Sequence, residues 1–96
     1  MARYSWNSIQ NKITAHEGIT PGLRSKALGL AQHFHAENVS APTAEVGNTS
    51  VCFIWSRGEN VITIIVYPKG PPALRMTYRN NNLGPVLAIV DALCGM

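Results

Sequence analysis

The sequence predicts an α+β domain, with helices and strands segregated along the chain. Three observations predict it. Residues 51–67, VCFIWSRGENVITIIVY, hold two apolar runs rich in β-branched and aromatic residues. A polar, Gly-containing break at 56–60 separates them, which is the pattern of a β-hairpin. Helical periodicity precedes this stretch and a nearly uncharged apolar segment follows it. The expected architecture is two N-terminal helices, a three-stranded antiparallel β-meander and an apolar C-terminal helix packed on the sheet. All of it falls in a single domain spanning residues 1–96, a length that supports one modest core.

The first helix is expected over 5–17. Ser5 can cap it, Trp6, Ile9 and Ile13 share one face, and Gly18 can end it. Trp6 is the large anchor of this segment and is expected in the core. The second helix starts at Thr20-Pro21, where the threonine oxygen can take an orphan amide and proline loses nothing at the first helical position. Leu23, Ala27, Leu30, Ala31 and Phe34 then form an amphipathic stripe, and the helix should end near Glu37 and Asn38. Gly29 lowers helix propensity, so close packing on the sheet is expected there.

Pro42, Gly47 and Asn48 mark residues 39–50 as a connection, with 44–46 a candidate short edge strand. In the hairpin, Val51, Phe53 and Trp55 share a face, as do Ile62, Ile64 and Val66. The alternate residues are also largely apolar, so these strands are expected to be covered on both sides. The run at 68–72, PKGPP, stops the second strand. Residues 73–79 alternate cleanly, with Leu74, Met76 and Tyr78 opposed to Arg75, Thr77 and Arg79, as in an edge or partly solvated strand. Three asparagines at 80–82 form a turn. Gly84-Pro85 then opens a helix over 85–94 that is apolar nearly all round, with Asp91 its one charge, and such a helix must be buried.

The net charge is +3, and only 14% of residues are charged. That is below the usual quarter, so a partner or a second copy is expected to cover apolar surface. No basic run occurs. No signal-peptide pattern or membrane-spanning stretch is present, so a cytoplasmic protein is expected. Cys52 and Cys94 fall within apolar runs and read as buried reduced thiols.

Chemistry has little support. His33 and Glu37 are four apart while His35 points elsewhere, a poor chelating set on a helix. The five carboxylates are scattered, and no nucleophile elbow or phosphate loop appears. No catalytic residue, cofactor or metal is expected. The surface candidate for partner binding is Arg57, Lys69, Arg75, Thr77 and Arg79, which can meet an acidic protein face or phosphates. Val86, Ile89, Val90 and Leu93 are the candidates for self-association, as a homodimer.

Two functions fit these residues. One is a non-enzymatic protein-interaction module that binds stoichiometrically. The other is a small basic nucleic-acid-binding protein using the Arg75/Arg79 strand face. The plan of small size, α+β meander and absent catalytic residues resembles that of many phage and mobile-element proteins, anti-CRISPR proteins among them. That resemblance covers no particular residue. It implies masking of a host nucleoprotein complex.

Overall fold

The computed structural model describes residues 5–57 and 60–77. Helix α1 spans Trp6–Ala15, and the Ser5 hydroxyl accepts the Ser8 N–H at 3.1 Å. It stops short of Gly18 because His16 is already extended. Helix α2 spans Pro21–Ala36, and the Thr20 hydroxyl accepts the Leu23 N–H at 3.4 Å.

The end of α2 is a Schellman motif. Asn38 has φ +60, its N–H reaches the His35 carbonyl at 3.1 Å, and Val39 N–H reaches back to the Phe34 carbonyl at 3.0 Å. The left-handed residue reverses the chain and lets both carbonyls find donors. Phe34 and Val39, which accompany the reversal, are buried.

Four strands follow, namely β1 Thr43–Val46, β2 Val51–Arg57, β3 Asn60–Val66 and β4 Ala73–Thr77. They form one antiparallel sheet in the order β1-β2-β3-β4. The expected three-stranded meander therefore gains a strand. The Gly47 N–H bonds the Ser50 carbonyl at 2.9 Å, folding the candidate edge strand onto β2 with Val46 opposite Val51. The hairpin is also longer than its apolar runs. Arg57 pairs with Asn60, and Asn60, expected in the turn, is only 1% exposed. The expected C-terminal helix and residues 78–79 of the third expected strand lie outside the described residues.

Both described helices pack on one face of the sheet. There Val51, Phe53, Trp55, Ile62, Ile64 and Val66 meet the stripes of α1 and α2. Four rings stand at the centre of this core. Phe34 meets Trp55 edge-on at 5.5 Å, and Trp6 lies 5.9 Å from Phe34 and 6.2 Å from Phe53. Such offset and edge contacts add to what area burial contributes. Both indoles also donate to main chain, Trp6 Nε1 to the Val39 carbonyl at 2.6 Å and Trp55 Nε1 to the Ser40 carbonyl at 2.7 Å.

Two glycines behave differently. A Cβ on Gly18 would lie 2.1 Å from Asn48 Oδ1, so the α1–α2 turn and the β1–β2 turn touch across this position. The same Asn48 oxygen is 2.9 Å from His16 Nε2. The close packing expected at Gly29 is not found, since a Cβ there meets nothing within 4 Å.

Trp6→Phe should lower unfolding free energy by about 2–4 kcal/mol, through a smaller ring and a buried carbonyl left without its donor. Urea denaturation followed by circular dichroism measures it, and a loss below about 1 kcal/mol would contradict the role given to this bond. Asn38→Gly should add about 0.5–1 kcal/mol by relieving the left-handed backbone, while Asn38→Ala should destabilise. Thermal melts of the pair should move in opposite directions.

Candidate partner-binding surface

Antiparallel pairing places opposed residues on the same face. The face away from the helices therefore carries cross-strand rows that the register defines. One row is Glu45–Cys52–Ile65–Ala73, and the next is Thr43–Ile54–Thr63–Arg75. A third runs Ser56–Val61–Thr77. Cys52, Ile54, Val61 and Ile65 are half-buried, while Glu45, Arg75 and Thr77 are exposed. The surface is an aliphatic strip with an acid on the β1 side and a base on the β4 side. The two described helices pack on the other face.

Cys52 sits between the two charges. Burial raises its thiol pKa above the ordinary value, Glu45 raises it further, and Arg75 opposes both. A thiol held in its protonated form is a weak nucleophile.

Among the described residues, the positions expected to bind a partner are spread along the sheet. Arg75 and Thr77 share the open face through their pairing with Thr63 and Val61. Arg57 lies at the hairpin end of β2, opposite Asn60. Lys69 is exposed in the β3–β4 connection, at the other end of β3. The seven residues of β3 separate those ends by about 20 Å. Arg79 lies outside the described residues, as do the self-association candidates Val86, Ile89, Val90 and Leu93, together with Cys94.

Other cations hold the helix layer in place. Lys12 Nζ donates to the Ala44 carbonyl at 2.7 Å, Arg24 Nη2 to the His16 carbonyl at 2.9 Å, and Lys26 Nζ to the Gly70 carbonyl at 3.1 Å. Arg24 Nε is buried with no hydrogen-bond partner. These three side chains tie α1 to β1, α2 to the end of α1, and α2 to the β3–β4 connection. They make no continuous basic stripe with Arg75.

His33 is half-buried with its ring 6.1 Å from Phe34, and His35 and Glu37 are exposed. Among the described residues, no group of three His, Cys, Asp or Glu side chains is placed to hold a metal ion. No described helix is long and apolar enough to cross a membrane.

The chain matches no family model, no curated protein and no solved structure.

The aliphatic strip was not singled out from the sequence, because Cys52, Ile54, Val61 and Ile65 read as core. The available signal was the polar residue in each row, Glu45, Thr63, Arg75 or Thr77, which only the register aligns with them.

In a Cys94→Ser background, alkylation of Cys52 by iodoacetamide should rise with a midpoint above that of a free thiol. Glu45→Gln should move the midpoint to lower pH and Arg75→Gln to higher pH. A midpoint indifferent to both changes would separate the thiol from these charges.

Proposed function

We propose that this chain is a non-enzymatic protein-interaction module that binds its partner stoichiometrically through the open face of the sheet. The observation that carries the reading is the strip of Ile54, Val61 and Ile65, half-buried beside exposed Arg75 and Glu45. An apolar centre with charges at its rim is the usual anatomy of a protein interface. The rim charges set orientation and encounter rate more than affinity.

The absence of catalysis belongs to the same proposal. It is supported by the protonated Cys52 thiol and by the scatter of histidines and carboxylates. So do a cytoplasmic location and a homodimer formed through Val86, Ile89, Val90 and Leu93. Masking of a host nucleoprotein complex, in the manner of phage and mobile-element inhibitors such as anti-CRISPR proteins, is the finer form of this reading. It rests on size and fold class alone. The second reading, nucleic-acid binding through the Arg75/Arg79 face, has the exposure of Arg75 and Thr77 in its favour. Against it, Lys12, Arg24 and Lys26 are occupied on the opposite layer, whereas phosphate binding draws on clustered cations.

The test is a double variant, Ile65→Glu with Arg75→Glu. Its thermal midpoint should stay within a few degrees of the parent. Its yield of a nuclease-resistant complex of defined stoichiometry, measured by light scattering, should fall at least tenfold, which corresponds to about 1.4 kcal/mol. Binding that survives the double variant would remove this face from the proposal. A complex made only of nucleic acid, lost with nuclease and with salt, would establish the second reading.

A further inference from the structure

The sheet face away from the helices carries its charges on the two outer strands. Among the described residues, its rows hold one acid, Glu45 on β1, and one base, Arg75 on β4, both exposed. Between them β2 and β3 present Cys52, Ile54, Val61 and Ile65, all half-buried, with Thr63 in their midst. These rows therefore sum to no net charge and have opposite signs on their two margins.

We propose, on the reading of this face as a binding surface, that a second copy of the chain covers it, the two sheets packed together about a two-fold axis parallel to the strands. Charge selects the axis. A closed pair brings the same patch of both chains together, so every contact occurs twice. Turning the second copy about an axis along the strands lays its β4 over β1 of the first and its β1 over β4. Glu45 of each copy then faces the strand that carries Arg75 of the other. Their rows are adjacent, about 7 Å apart along the strand, and packed sheets lie about 10 Å apart. An arginine and a glutamate side chain together span that gap. An axis across the strands would lay β1 on β1 and β4 on β4. Like charges would then oppose each other at both margins, which is unfavourable.

The centre of the face agrees with the same axis. β2 of one copy lies over β3 of the other. Cys52 then faces Ile65 along one row, and Ile54 faces Thr63 along the next. Aligned sheets pack in this way with their strands about 30° apart. Area sets the strength. Four strands at about 4.8 Å spacing and seven residues at about 3.4 Å give a footprint of about 450 Å² per copy. The pair buries about 900 Å², which is the range of transient interfaces. The dimer is therefore weak, with a dissociation constant on the order of 10–100 μM, and it yields the face to a tighter partner.

The test uses the full chain. Sedimentation equilibrium across that concentration range should show monomer and dimer. Glu45→Arg and Arg75→Glu should each weaken the dimer at least about tenfold, since each sets like charges together twice. The two changes combined should restore it to within about threefold of the parent, because both pairs re-form with their signs exchanged. In a Cys94→Ser background, alkylation of Cys52 by iodoacetamide should slow as the chain dimerises, which places the contact on this face. A chain that stays monomeric overturns the proposal. So does a dimer whose Cys52 reacts at the monomer rate, or one that the charge exchange fails to restore. None of these results touches the broader reading of the face, which fails separately, when the nuclease-resistant complex survives Ile65→Glu with Arg75→Glu.

Discussion

Two indole N–H groups donating to successive carbonyls hold this domain together. Trp6 comes from the first helix and Trp55 from the second strand, yet their acceptors are Val39 and Ser40. The connection between the helical half and the sheet is thereby clamped from both layers. It needs such a clamp. Where the chain leaves α2, Asn38 takes a left-handed backbone and Val39 folds back on Phe34. Burying a main-chain carbonyl unpaired is costly. The tryptophans supply the donors while their rings complete the aromatic centre of the core.

The two faces of the sheet follow from this arrangement. One face receives the tryptophans, Phe34 and Phe53, and is closed by the helices. The other keeps aliphatic residues in mid-strand and charges on the outer strands. Arg75 and Glu45 lie on different rows of that face, and Cys52 experiences both. The same device appears in the helix layer. Three long cations reach main-chain carbonyls of neighbouring elements, so much of the positive charge serves to join elements together.

Much of the architecture was legible because its signals are local. Ser5 and Thr20 mark helix starts, since a capping oxygen acts on amides two or three residues away. Phe34, Leu30 and Leu23 repeat with helical period, and Ile62, Ile64 and Val66 with strand period. The strip of Ile54, Val61 and Ile65 was not legible, because an aliphatic residue in a strand looks the same on a covered and an open face. Only the pairing register sets Thr63 and Arg75 beside Ile54. The separation of Arg57 from Lys69 along β3 was hidden for a related reason. Turn residues that flank a strand in sequence lie at its opposite ends in space. Gly29 has no packing explanation among the described residues, since a Cβ there would meet nothing within 4 Å.

The short strand β1 has a further consequence, for self-templated aggregation. An edge strand offers unpaired main-chain groups on which another chain can nucleate. Here the edge is only four residues long, follows Pro42, carries exposed Glu45, and has the Ala44 carbonyl occupied by Lys12. Each feature discourages an incoming strand. The β1 side of the described sheet is therefore a poor template for growth.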